Sequence, residues 1–298
     1  MLTLLCLGFG YCARHYVAEF GARFDRLIGT ARSLERNARA PVEMLSFDCV
    51  SPSPELRTAI AAVDCLLISA APGEAGDPVL HALGDDLAAA PRLSSIVYLS
   101  SLGVYGDHGG AWIDESATTV PAHARGGARI KAERAWQALG RTRGTPVAIL
   151  RLAGIYGPER NAFVRLLTGR AHRIDKPGHV FNRIHVADIA QAIDAAFERR
   201  FDGIVNVADD EPAPPGDQIV LAAALLGIAP PPELSLEEAR RILSPFVMSF
   251  YDGCARVRNE RLKRALGVTL RYPTYREGLQ ALFDRGFDRH QPNSDRTA

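Results

Sequence analysis

The chain has 298 residues, 47% of them hydrophobic and 23% charged, with 35 Lys and Arg against 34 Asp and Glu for a formal net charge of +1. A chain of that length and composition buries a large core, as one big domain or two intimate ones. The near-neutral balance points away from nucleic acid and membrane surfaces as partners, and no apolar run reaches the length of a membrane-spanning helix.

The first stretch is the most informative. Leu2–Leu7 is a nearly continuous apolar run, as expected of a strand buried on both faces of a parallel sheet. It lacks the basic region and cleavage site of a signal peptide. It runs into Gly8-Phe9-Gly10-Tyr11-Cys12-Ala13, of the form G-x-G-x-x-A, and a helical stretch follows to about Phe20. Strand, glycine turn and helix together are the context of a dinucleotide site. Gly8 would make the tight turn, Gly10 would admit a pyrophosphate, and Ala13 would let the helix pack on the strand. The first helical N–H groups, from Tyr11 onward, would then face the phosphates.

A second strand is expected over Phe24–Thr30. Its tip is where an acidic side chain would accept from the ribose 2′-hydroxyl of NAD. Here the chain reads Thr30-Ala31-Arg32-Ser33, with a guanidinium and no carboxylate, which favours NADP and leaves NAD open. A third strand over Val42–Asp48 ends in a carboxylate that can meet the adenine edge or cap the next turn. A helix over Glu55–Ala62 and a fourth strand over Asp64–Ala70 follow. Ala70, Ala71 and Pro72 turn at the strand's carboxyl end, the edge where open α/β sheets bind ligands. A helix over Val79–Ala90 and a fifth strand over Ser94–Ser100 complete the alternation of a Rossmann-type, doubly wound parallel sheet. The five cysteines (Cys6, Cys12, Cys49, Cys65, Cys254) are odd in number and lack C-x-x-C spacing, as expected of reduced thiols in a cytoplasmic protein without a metal site.

The fifth strand leads into Ser100-Ser101-Leu102-Gly103-Val104-Tyr105-Gly106. This string resembles the S-S-x-x-V-Y-G segment of the extended short-chain dehydrogenase/reductases, the NAD(P)-dependent epimerase/dehydratase family. Arg151 to Pro158 is similar to that family's R-x-x-x-x-Y-G-P turn, and Ile184-His185-Val186-Ala187-Asp188-Ile189-Ala190 to its I-H-V-x-D-I-A segment. Arg258–Gly267, with Tyr272-Pro273 and Glu277-Gly278-Leu279, resembles its C-terminal segment. The resemblance runs from Leu2 to about Leu282. It implies a dinucleotide-binding domain over 1–155, with 185–207 packing back onto it, and a substrate lobe from 156–184 and 208–284. Ser100 and Gly154 would lie along the cofactor, Ser101 in the substrate pocket, and Arg160, Asn182 and Arg183 in the lobe's lining. Residues 285–298 read as a polar tail.

The departure is at the catalytic centre. The family pattern implies a Y-x-x-x-K pair on the helix after the fifth strand, the tyrosine as acid/base and the lysine on the nicotinamide ribose. This chain has Arg125-Gly126-Gly127-Ala128-Arg129-Ile130-Lys131-Ala132-Glu133 there. If Lys131 is the family lysine, the tyrosine position is Gly127. If Glu133 is the glutamate that follows the lysine by four, the pair becomes Arg125 and Arg129, the preferred register. Arginine stays protonated and cannot be the proton partner. Arg129 can anchor the ribose and Arg125 can hold an anion. Tyr105, whose ring reads first as packing and which could donate only if its loop folds inward, and His123 are the candidates for an alternative proton donor, with His108 and His185 as further histidines and His185 read as structural. Cys12 is read as an inert packing residue. The expected function is an NADP-binding oxidoreductase or epimerase/dehydratase-like protein acting on a small anionic or sugar-like substrate, as monomer or homodimer. The rival is a catalytically silent NADP-binding sensor or scaffold, since cofactor motifs serve both. A structural domain with no cofactor comes last, because it must explain the intact glycine turn.

Overall fold

The computed structural model describes residues 1–34 and 40–287. Its frame is a seven-stranded parallel sheet. In chain order the first strands are β1 (Thr3–Leu7), β2 (Arg26–Ala31), β3 (Glu43–Ser46), β4 (Cys65–Ile68), β5 (Ser95–Ser101) and β6 (Trp112–Ile113). They are followed by β7 (Val147–Leu152), β8 (Gly154–Tyr156), β9 (Arg173–Asp175), β10 (Arg183–His185) and β11 (Gly203–Val207). The main sheet has the order β11-β7-β5-β4-β1-β2-β3, with every pairing parallel. All five residues of β1 and all six of β7 are buried, as a strand covered on both faces requires. The chain builds outward from β1 to β3, then crosses to the other side of β1 for β4. The β1–β4 boundary is therefore the topological switch point, where open α/β sheets bind ligands.

Two layers of helices cover the sheet. One face carries α1 (Tyr11–Phe20) and α6 (Val186–Glu198), which pack on each other around Tyr16, Val17, Ile189, Ile193 and Phe197. The other carries α2 (Pro54–Ala61), α3 (Pro78–Ala89) and α4 (Ala124–Arg143), closing over Leu56, Leu83, Leu87 and Trp136. Local chemistry sets the ends of these helices. Asp77 caps α3 by accepting from Val79 and Leu80, with Pro78 in the first turn. Gly144 ends α4 at φ +70°, a left-handed conformation that glycine adopts without strain.

Beyond β7 the chain builds a lobe over the carboxyl edge of the sheet. It comprises α5 (Ala162–Leu167), α7 (Asp217–Leu226), β12 (Glu233–Ser235), α8 (Leu236–Ile242), α9 (Pro245–Met248), β13 (Arg256–Val257) and α11 (Tyr275–Asp284), whereas α10 (Glu260–Ala265), within the span expected for the lobe, packs back on β11 with Leu262 in the core of the main sheet. Its core is Tyr156, Phe163, Ile219, Tyr275 and Leu279. Three two-stranded parallel pieces, β10–β8, β12–β9 and β13–β6, stitch it together. The strand expected over Val42–Asp48 is only Glu43–Ser46, because Asp48 turns the chain. His179–Asn182 contributes a single bridge, Phe181 to Ala213, before β10 begins. Of the expected tail, residues 288–298 lie outside the described residues. Among the described residues no helix is long and apolar enough to cross a membrane.

Candidate functional site

The glycine turn closes the carboxyl end of β1. Gly8 sits at φ +94°, and a Cβ there would come within 2.9 Å of the Ala70 backbone nitrogen. The turn is held from both flanks. Gly8 N–H donates to Thr30 Oγ1 at 2.9 Å and Phe9 N–H to the Thr30 carbonyl at 2.7 Å, while Ser69 and Ala70 donate to the Leu7 carbonyl. Gly10, exposed, is the N-cap of α1; it offers no side-chain cap, and the helix has no acidic residue in its first turn. An uncapped first turn without a carboxylate, at the switch point, presents free N–H groups and the positive end of the dipole. A side-chain-free cradle of this kind fits a dinucleotide pyrophosphate. Ala13 is fully buried against the sheet.

Tyr11 serves this turn through its backbone alone. Its hydroxyl donates to the Pro158 carbonyl at 2.6 Å, and Arg160 lies 4.5 Å over its ring, so the side chain docks the 157–160 loop onto α1. Burial pushes the Cys12 thiol up to about 11, which makes it an inert packing residue despite its place at a helix N-terminus. Arg32 is exposed directly after β2, and among the described residues it makes no hydrogen bond or ion pair. Asp48 accepts from Val50 and Ser51 with one oxygen, the turn-capping alternative of the two expected for it. Ala71 and Pro72 lead away from β4 beside the glycine turn, with Ala71 exposed.

The second half of the site lies where β5 meets α4. Arg129 is half-buried and donates to the Leu99 carbonyl at 2.9 Å, so it reaches the end of β5, whereas Lys131 points to solvent. Ser101, half-buried at the last position of β5, accepts from Gly103 N–H at 3.2 Å, and its own proton is free to be donated. Gly126 lets α4 approach closely, since a Cβ there would stand 2.6 Å from the Gly103 carbonyl oxygen. Gly154 begins β8 exposed, its N–H on the Asn182 carbonyl.

Several expected residues are used otherwise. Tyr105 is 1% exposed; its hydroxyl donates to Asn206 at 2.8 Å and its ring lies under Arg151, so it packs and does not reach a substrate. Ser100 is buried with its hydroxyl 2.5 Å from Glu133, leaving only backbone for a cofactor. Arg125 does not reach into the cleft. It stacks 4.3 Å from the Phe246 ring centroid and donates to Ser249 Oγ at 2.7 Å, both on the α9 segment. His123 caps the same end of α4, its Nε2 3.2 Å from the Ser249 carbonyl and 3.1 Å from Asp252. His108 is in a turn whose backbone bonds Cys254. His185 is neutral, pushed down to about 3 by burial, with Nδ1 accepting from Ala187 N–H. In the lobe, Asn182 ties β13 through Ala255 and Val257, and Arg183 is buried on the carbonyls of Phe181, Ala213 and Pro214. Of the three lobe candidates, only Arg160 is exposed.

A buried polar group beneath the site was not anticipated. Glu133 and Arg151 form a two-point ion pair, at 2.7 Å and 3.1 Å, with side chains 3% and 5% exposed. Ser100 completes it. The one available signal was an arginine inside the otherwise apolar β7, and pattern alone does not say that it meets Glu133 of the highly charged α4.

An all-parallel doubly wound sheet with a glycine cradle at its switch point defines a dinucleotide-binding α/β protein. The model of the NAD dependent epimerase/dehydratase family matches residues 8–208, and the chain belongs to that family. A conserved protein of unknown function from Silicibacter pomeroyi DSS is similar in structure, with TM-score 0.87 and 45% identity over 96% of this chain and 99% of that one. The dTDP-glucose 4,6-dehydratase of Bacillus anthracis str. Ames, solved in complex with NAD, shares the fold at TM-score 0.76 and 17% identity, over 97% of each chain. A 3-diazoavenalumate denitrifying reductase from a Streptomyces species is 31% identical over 137 residues, 44% of this chain and 45% of that protein, so the match spans a little under half of its length. Among the described residues no cluster of His, Cys, Asp and Glu is arranged to hold a metal ion.

Proposed function

We propose that this chain is an NADP-dependent reductase of the epimerase/dehydratase family whose active centre works without the family tyrosine. The carrying observation is an exposed, uncapped glycine cradle followed, at the end of β2, by an exposed Arg32 where NAD binders have a carboxylate. When bound, the cofactor would supply a hydride. The backbone of Gly8, Gly10 and Tyr11 would hold its pyrophosphate, Arg32 its 2′-phosphate, and Arg129 its nicotinamide ribose from the end of β5. Ser101 would donate its free hydroxyl proton as a hydrogen bond to a substrate oxygen. Reduction is the reading taken because a partial relative is named a reductase; the hydride must be matched by a proton at the substrate oxygen, and with no tyrosine on α4 that proton would come from solvent through the Ser101 hydroxyl. His123 is held on the Ser249 carbonyl and Asp252, so His123→Ala is expected to leave turnover close to wild type.

The experiment is cofactor titration followed by a turnover panel. NADP is expected to bind tighter than NAD, and Arg32→Ala to cost about tenfold to a hundredfold in NADP affinity, the value of one charge-assisted contact of roughly 1.5–3 kcal/mol. Equal affinities of the wild type for the two cofactors would refute the assignment. NADPH oxidation across aldehydes, ketones and keto-sugars, repeated with Ser101→Ala and His123→Ala, then tests the centre. Robust epimerisation of a free nucleotide sugar would overturn the reductase reading. The silent NADP-binding sensor is the second reading. It is favoured by the withdrawal of Arg125 onto Phe246 and of Tyr105 onto Asn206, and it predicts tight NADP binding with no turnover on any member of the panel.

A further inference from the structure

We propose that the cavity between α5 and the start of α7 binds the oxyanion of a small molecule, carboxylate or phosphate, and that this is the charged end of the substrate. Its role as a substrate group rests on the reductase reading; the anion binding itself does not. The cavity, of about 420 Å³, is lined by Ile155, Val164, Arg160, Arg165, Arg170 and Gln218, with Glu159 in the same wall. Three guanidiniums therefore face one carboxylate.

None of the three is neutralised. Several arginines elsewhere in the lobe are paired: Arg173 with Glu233, Arg241 with Glu237, Arg271 with Glu19, Arg276 with Glu211. Among the described residues, Arg165 makes no side-chain hydrogen bond or ion pair, Arg170 bonds only Thr168 Oγ1 at 3.1 Å, and Arg160 rests only on the Tyr11 ring. Glu159 pairs with none of them. Like charges gathered round one space repel each other until an anion enters, and an arginine fork matches a carboxylate or phosphate. A second observation points the same way. Gln218 is 8% exposed, and its amide nitrogen, a donor, has no hydrogen-bond partner. A buried unpaired donor is costly, and a donor in a positive wall complements an anion. Ile155 and Val164 add an apolar side, so the ligand carries a short apolar body next to its charge. Arg160 lies on the first residue of α1, which puts the cavity beside the helix end assigned to the cofactor.

The test is isothermal titration calorimetry on the full chain, free and saturated with NADP, with inorganic phosphate, phenyl phosphate and benzoate as probes. Arg165 and Arg170 are exposed and without ion pairs, so Arg165→Ala and Arg170→Ala are expected to fold normally, checked by unchanged Tm. Each is expected to weaken anion binding about tenfold, and the double variant more, with binding falling as salt rises. Benzoate binding tighter than phenyl phosphate would assign a carboxylate, and the reverse a phosphate; either supports the site. Wild-type affinity in the double variant would overturn it. So would anion binding seen only in the cofactor-free protein, because the anion would then be occupying the cofactor's phosphate cradle. If NADP fails to bind while phosphate binds and the double variant abolishes it, the anion site stands and the reductase reading falls.

Discussion

At the scale of single residues, Gly8 is held by a backbone neighbour as well as by its own conformation. Its positive φ suits glycine, and the space its missing side chain leaves is closed by the backbone of Ala70, which cannot swing aside as a flexible side chain would. Gly8→Ala is therefore expected to destabilise the fold by about 1–3 kcal/mol, the range for a strained backbone position, and to weaken cofactor binding as well. A denaturant midpoint indistinguishable from wild type would show that the turn relaxes and that the strain argument fails. This position was legible as a motif, because G-x-G-x-x-A needs only local backbone chemistry. Tyr105 was not. Phenols look alike in a sequence, and only the approach of Asn206 and Arg151 from distant strands shows that this one is buried packing.

At the scale of elements, the telling contact is between the start of α4 and the α9 segment. Arg125 stacks on Phe246 and bonds Ser249, and His123 meets Ser249 and Asp252, so two residues of one helix end hold a short segment that is itself largely exposed. An exposed cation–π contact contributes about 0.5–1 kcal/mol, enough to hold a local segment without deciding global stability. Arg125→Ala is expected to raise amide hydrogen exchange several-fold, on the order of that energy, across Pro245–Tyr251, with Tm nearly unchanged. Exchange confined to wild-type rates there would show that the segment is held by other contacts, such as Lys176 on the Tyr251 carbonyl. The sequence placed Arg125 on the α4 face near the site. It could not say which way a long side chain turns, because α9 is more than a hundred residues further along the chain.

At the scale of the molecule, two of the buried titratable groups pull stability in opposite directions with pH. Burial pushes the Asp209 carboxyl from 3.8 up to about 8, against the pull of Arg183 beside it. Between those values the folded chain keeps a proton that the unfolded chain has released, so stability falls as pH rises through that window and is fully present only below it. His185 works on the other side. Burial lowers it from 6.5 to about 3, so between those values the unfolded chain takes up a proton that the folded chain refuses, and stability falls as pH drops. Asp209→Asn should remove the alkaline slope. Its stability relative to wild type should increase from about pH 6 to pH 8, by at most about 1.4 kcal/mol per pH unit. Urea midpoints of both proteins at several pH values check this, and a constant difference across the range would refute it.

The sequence alone was sufficient for the central strand, the glycine turn, the alternation that makes a doubly wound sheet, and the basic residue at the tip of β2. Each depends on periodicity or on neighbours within a few positions, and such signals survive without knowing the tertiary packing. What only the fold decided is where long polar side chains end. Glu133, Arg151 and Ser100 converge from α4, β7 and β5 into one buried group, Asn182 and Arg183 turn inward to brace the lobe, and Arg160, Arg165 and Arg170 are left unpaired around a cavity. An arginine's helix or strand sets where its Cα lies. Its charged end reaches several ångströms further, and what it meets there depends on which distant segments the parallel crossovers have brought together.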